Sequence, residues 1–197
     1  MGISLQKGQK ISLKKEAPKL QELMCGLGWD VRKKRGFFES LFASDFDLDS
    51  SVLCINEKGK LTSKNDIIFF GNLRHYSDGI IHLGDNLTGE GEGDDEEIIV
   101  KLPLIPPSIH KLLFVINIYN APERGQDFSQ VENAFVRLVN LSNNQEIARY
   151  TLSGEGYKGK TGMIMAEINR VGDDWEVVAR GEGIVVSNLG DLVSLYL

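Results

Sequence analysis

The chain has 197 residues, 42% of them apolar, and 28 acidic against 22 basic side chains give a formal charge of −6. That length supports one good core and makes a single domain over residues 1–197 the default, while no apolar run approaches the roughly 18 residues needed to cross a bilayer. Residues 1–20 lack the apolar stretch of a signal peptide, and only two cysteines, Cys25 and Cys54, leave no disulfide framework; buried reduced thiols in a cytoplasmic protein are the expectation.

Period-2 alternation dominates from the start. Ile3 to Leu5 and Ile11 to Leu13 flank Lys7-Gly8-Gln9 and predict an opening hairpin. Strands follow at Cys25 to Asp30, Phe46 to Asn56, Ile67 to Phe70, Ile80 to Leu83, Ile98 to Leu102, Leu112 to Tyr119, Phe135 to Asn140, Glu146 to Leu152, Met163 to Arg170 and Trp175 to Ala179. Helical spacing is confined to Lys19 to Met24, Gly36 to Ala43 and Leu189 to Leu197. Without crossover helices a parallel α/β sheet cannot be built, so the fold class is all-β, an antiparallel β-sandwich. Arg32 to Ser44 (RKKRGFFESLFAS) breaks the pattern as an insertion, basic and then aromatic. Its Phe37, Phe38, Leu41 and Phe42 either form a contact patch or cover a sheet edge.

The negative charge is one local object. Between Asp85 and Glu97 (DNLTGEGEGDDEE) stand seven acids and no base, and removing them leaves 21 acids against 22 bases. The basic clusters, Lys14-Lys15 and Arg32 to Arg35, are short and lie near acids, so no stripe exists to displace counterions from nucleic acid. Carboxylates this dense repel one another by roughly 1 kcal/mol per pair at about 4 Å in water. A hard divalent cation supplies the missing counter-charge. Ca²⁺ takes about six to eight oxygens in variable geometry. This segment offers carboxylates, the Asn86 amide, the Thr88 hydroxyl and the carbonyls of Gly89, Gly91 and Gly93. The helical calcium loop does not fit, because its third, fifth and sixth positions fall on Leu87, Gly89 and Glu90. Strand-like flanks put the acids at the end of a β-hairpin instead. The alternative is a solvated acidic turn with no ligand.

Phe46-Asp47-Leu48-Asp49 adds a second acidic pair, with Asp47 and Asp49 on one strand face roughly 6.6 Å apart. Either they face solvent on an edge or they lean toward the acidic loop, as Asn72 after Phe69-Phe70-Gly71 could also do. Nine acids exceed what one Ca²⁺ can use, so two neighbouring ions are expected.

Several segments together resemble the TerD-type tellurium-resistance and stress-protein family. They are Gly28-Trp29-Asp30, Phe46 to Asp49, Asp66 to Leu73, Asp78-Gly79, His82 to Glu96 and Asn133 to Leu138. The resemblance implies a β-sandwich, Ca²⁺ held by the acidic loop with help from the FDLD strand, and a cytoplasmic location. It further implies partners among other tellurite-resistance proteins, including an integral membrane one, and no known reaction. The Arg32 to Ser44 insertion, Ser129 and Gly154 to Thr161 depart from its pattern.

The resulting expectation is a non-enzymatic, calcium-binding scaffold or stress-response module. Its candidate metal ligands are Asp47, Asp49, Asn72, Asp85, Asn86, Glu90, Asp94, Asp95 and Glu96, with Glu92 and Glu97 outward. The rival is a nucleotide-binding or hydrolysing enzyme, because Gly154 to Thr161 satisfies the phosphate-cradling G-x4-G-K-T pattern after a strand. Too little helix follows it, and no apolar strand elsewhere ends in an Asp for Mg²⁺. A metal-dependent hydrolase on the acidic cluster would need a general base that does not stand out. His75, His82 and His110 lack metal-ligand spacing. Arg124, Gln126 and Arg137 are either polar contacts of a partner cleft or buried groups satisfying backbone carbonyls.

Overall fold

A computed structural model describes residues 2–31, 47–84, 94–152 and 156–197. Its strands are β1 (Ile3–Leu5), β2 (Lys10–Ser12), β3 (Glu22–Val31), β4 (Leu48–Ile55), β5 (Ile67–Ile68), β6 (Ile80–His82), β7 (Glu96–Lys101), β8 (Lys111–Ile118), β9 (Val131–Asn140), β10 (Gln145–Thr151), β11 (Gly162–Val171) and β12 (Asp174–Ile184). Short helices α1 (Leu13–Glu16), α2 (Ala121–Arg124) and α3 (Leu189–Ser194) join them. One sheet runs β1-β10-β9-β3-β7-β6 and the other β2-β12-β11-β8-β4-β5.

The sheets share an inner core. Leu23, Cys25 and Leu27 of β3 face Leu112, Phe114 and Ile116 of β8, with Met163 and Met165 of β11 and Ile98 and Val100 of β7 beside them. Fully burying an aliphatic side chain contributes about 1.5–3 kcal/mol. Strands β4 and β8 are buried on both faces, which explains the unbroken apolar stretches Val52 to Ile55 and Leu112 to Ile116. Their outer residues Leu53, Ile55, Leu113 and Val115 meet Leu192 of α3 in a second cluster. Both cysteines are buried and free, and burial pushes both thiols up.

One expectation fails. The opening segments form no hairpin, because β1 pairs in parallel with β10 in one sheet while β2 pairs with β12 in the other. The Gly8 N–H donates to the Ala179 carbonyl at 2.7 Å, and the Gln9 carbonyl accepts from the Ala179 N–H at 3.1 Å, so β12 takes the bonds a hairpin partner would have taken. Among the described residues the strand pairs are therefore antiparallel except for this one edge pair. The ambiguous spacing of Lys19 to Met24 resolves as a turn that enters β3 at Glu22, with Leu23 and Cys25 alternating into the core. The carboxy-terminal helical spacing does form a helix, α3. Ser12 both ends β2, opposite Glu176, and caps α1, its hydroxyl accepting from the Lys15 N–H at 3.0 Å and donating to Asp174 at 2.6 Å. The Arg32 to Ser44 segment lies outside the described residues. Among the described residues no helix is long and apolar enough to cross a membrane.

Candidate metal centre

Strands β6 and β7 pair antiparallel, with Ile80 opposite Val100 and His82 opposite Ile98, so the acid-rich stretch joins hairpin neighbours as expected. Asp85, Asn86 and Glu90 lie outside the described residues. The last acids of the stretch, Asp94, Asp95 and Glu96, are described, and each is tied to a different element.

Asp94 lies over the outer face of the first sheet. Both its oxygens accept from Arg137 of β9, with Nε at 2.8 and 3.0 Å and Nη2 at 2.8 Å. This bidentate, charge-assisted geometry is the strong form of the interaction. The Asp94 side chain is 1% exposed. It fits because Gly26 lies beneath: a Cβ there would stand 2.2–2.5 Å from the carboxylate atoms. The hydrogen bond to Asp94 raises the Arg137 guanidinium above its ordinary value. Asp95 donates its N–H to the Leu27 carbonyl at 2.8 Å. Its Oδ2 accepts from the Trp29 N–H at 2.8 Å, just past the last backbone pair of the β3–β7 ladder. Burial raises the Asp95 carboxyl, the Trp29 N–H opposes this, and the charges of Asp30, Glu96 and Asp94 add to the rise. Glu96 points inward and crosses the sandwich, its Oε2 accepting from the Ser50 N–H of β4 at 2.9 Å with His82 Nε2 at 3.5 Å.

Asp47 stands at the start of β4, its carbonyl accepting from the Tyr119 N–H at 2.8 Å. Its Oδ1 is buried without a hydrogen-bond partner. Burial raises the carboxyl, the Arg124 charge lowers it and the nearby Glu96 charge raises it further. Asp49 lies opposite Asn117 and is held differently, its Oδ2 accepting from Asn117 Nδ2 at 3.2 Å. Its alternation places it with Leu53 and Ile55, on the outward side of β4. The Asn117 Oδ1 is buried without a partner. Asn72 sits in the turn after β5, donating from Nδ2 to the Ile67 carbonyl at 2.8 Å. The structure thus brings Asp47 near Glu96, the first residue of β7, while Asp49 and Asn72 are engaged elsewhere. Among the described residues, no three carboxylate, imidazole or thiol groups converge as a metal shell.

The chain matches the TerD domain over residues 1–196. It belongs to the TerD family. It is 47% identical to the stress response protein SCP2 of Bacillus subtilis (strain 168), with 100% of both chains covered. To the tellurium resistance protein TerD of Serratia marcescens it is 42% identical, covering 93% of this chain and 91% of that one. A solved homologue of telluride resistance protein (TerD) from Streptomyces coelicolor A3(2) superposes with a TM-score of 0.62 at 19% identity, over 86% of this chain and 94% of that one, and shares the fold.

In the described part of the glycine-rich segment of this TerD-family chain, 156–161, the Gly159 N–H and the Thr161 hydroxyl already have internal partners. The Gly159 N–H donates to Asp127 Oδ2 at 2.8 Å, so an internal carboxylate already takes that backbone group. The Thr161 hydroxyl donates to the Val186 carbonyl and accepts from the Val186 N–H at 2.9 Å. Strand β11 follows at Gly162 where a nucleotide loop needs a helix. Ser50, His82 and Glu96 also resemble a nucleophilic triad only by composition. His82 Nδ1 accepts from the Gly84 N–H at 3.1 Å, which assigns the proton to Nε2, the nitrogen 3.1 Å from Ser50 Oγ. That tautomer cannot take the serine proton.

Sequence reasoning missed two partnerships here. Arg137 clasps Asp94 in place of backbone carbonyls, and His75 and His82 are buried beside Asp66 and Glu96. The one local signal was an arginine in a strand next to a sheet position held by glycine, Gly26 opposite Arg137.

Proposed function

We propose that this TerD-family chain is a calcium-binding stress-response module that works by binding and not by catalysis, with two ions at the acidic end of the sandwich. The supporting observation is the orphaned Asp47 Oδ1, a buried carboxylate oxygen without a partner beside the Glu96 charge. A buried unpaired acceptor costs about 1–3 kcal/mol, more if charged, and a cation removes that cost. The donors on offer are all oxygens, which suits Ca²⁺ and not a thiolate- or imidazole-seeking metal. Asp47, Asp85, Asn86 and Glu90, with the second oxygen of Asp95, are the residues that would hold it. Asn117 Oδ1, beside Asp49, is a second buried oxygen without a hydrogen-bond partner, a neutral amide acceptor that Ca²⁺ can also use. The relatives' names, stress response and tellurium resistance, support a protective role. Partners on this reading are other tellurite-resistance proteins, one of them membrane-integral, met at the cytoplasmic face.

Thermal melts of the full chain in chelator and in millimolar Ca²⁺ or Mg²⁺ test the reading. Calcium is expected to raise the midpoint, since ligation of the folded state alone stabilises it by about 2.7 kcal/mol at a hundredfold excess over Kd. Magnesium is expected to act more weakly, because it demands octahedral geometry and keeps its waters. Identical melts in all three conditions would remove calcium from the function.

A further inference from the structure

We propose that Arg137 is a positioning residue for the cation site: by clasping Asp94 over Gly26 it pins the exit of the acidic stretch, and Asp94 is an anchor and not a ligand. This rests on the calcium reading above. Three observations carry it.

First, both Asp94 oxygens are already spent on one guanidinium at 2.8–3.0 Å. Arg137 is itself held from the far side, with Nη1 3.6 Å from Glu146, which also accepts from Arg149 at 2.9 Å. Arg149 in turn stacks over the Phe135 ring at 4.3 Å. The clasp therefore ends in a braced network on β9 and β10, and not in one mobile side chain.

Second, the floor is built for the carboxylate. Gly26 faces Arg137 directly across the β3–β9 ladder and Glu97 across the β3–β7 ladder. Any side chain at position 26 would displace Asp94. Third, the next two acids are also tied to fixed partners, Asp95 to the Trp29 N–H and Glu96 to the Ser50 N–H. Three consecutive carboxylates thus secure the exit of the acidic stretch to β9, β3 and β4, with only one oxygen of Asp95 taken by the Trp29 N–H and the other left for the ion. Holding ligands in a ready geometry removes the ordering cost that binding would otherwise meet.

A sign separates this role from simple electrostatics. Removing a positive charge beside an acidic site strengthens cation binding if Arg137 acts only through its charge. A lost anchor weakens it. Calcium titration of the full chain, with hydrogen exchange on the same samples, compares the parent with Arg137→Met, Gly26→Ala, Asp94→Asn and the double variant Asp94→Asn with Arg137→Met. Gly26→Ala keeps every charge and only evicts the carboxylate. The expected result is a calcium Kd at least tenfold weaker in each single variant, unchanged stoichiometry, and a double variant no worse than the singles, as befits two groups acting as one. The Asp95 and Trp29 amides are expected to exchange at least tenfold faster in all four. Tighter binding in Arg137→Met, a lost equivalent in Asp94→Asn, or unaltered affinity in Gly26→Ala overturns the positioning role while leaving calcium binding in place. No calcium signal in the parent removes the calcium reading and this role with it, and exchange then reports only whether the clasp holds the chain.

Discussion

The two glycine-rich, charged segments of the chain look alike as motifs and differ in how their polar groups are satisfied. Around Gly159 the bonds are closed: Asp127 takes the Gly159 N–H with one oxygen and the Ser129 N–H at 2.8 Å with the other, and Gln130 completes a capping box. At the acidic end Asp94 and Glu96 are likewise engaged, but Asp47 keeps a buried oxygen with no partner. A turn that satisfies its own donors and acceptors has no use for a ligand. An unfinished buried acceptor does, since leaving it so is costly.

Substitutions can break or sharpen this contrast. Glu96→Ala is expected to have the largest effect, about 2–3 kcal/mol of stability in denaturant titration, because it strips the Ser50 N–H of a buried charged acceptor that joins the two sheets. Glu96→Gln, which keeps an acceptor, should lose less; an equal loss would mean that the charge and not the bond matters. Asp127→Ala is expected to cost about 1 kcal/mol, the usual value of such a cap. Burial alone would raise that carboxyl, yet the Ser129 hydroxyl and N–H, the Gly159 N–H and Lys158 hold it below the ordinary value. Its contribution is therefore fully present above a pH of about 3.9 and is lost as pH falls through the lower folded value. Parent and Asp127→Ala should converge in strong acid, which melts across pH 2–6 would reveal. Lys160→Ala should change stability by no more than about 0.5 kcal/mol, and neither the parent nor this variant is expected to bind or turn over ATP. ATP turnover that vanished in Lys160→Ala would reverse the reading of the glycine-rich segment.

Ten interior strands were legible from period-2 alternation, since each buries one face or both and that pattern is local. The pairing of the opening segments was not, because two short alternating segments look the same whether they pair together as a hairpin or, as here, with β10 and β12, more than a hundred residues away. The β6–β7 hairpin around the acidic stretch was readable from its flanks. The fates of its acids were not. Residue type announces that Asp94, Asp95 and Glu96 can bind a cation, but Arg137, Trp29 and Ser50 reached them first, and those partnerships exist only once the sheets are stacked. The G-x4-G-K-T pattern was readable as letters, while Asp127, which fills its backbone donor, lies 32 residues away.

Titration calorimetry on the chelator-treated full chain, parent beside Asp47→Asn, tests most directly whether the orphaned carboxylate marks a cation site. The parent is expected to bind Ca²⁺ with a stoichiometry above one, and Asp47→Asn to lose at least one equivalent or bind at least tenfold more weakly, since removing an anionic donor deletes both charge and coordination. Calcium binding that is the same in both proteins, or absent from the parent, would contradict the assignment and return the acidic stretch to a solvated turn.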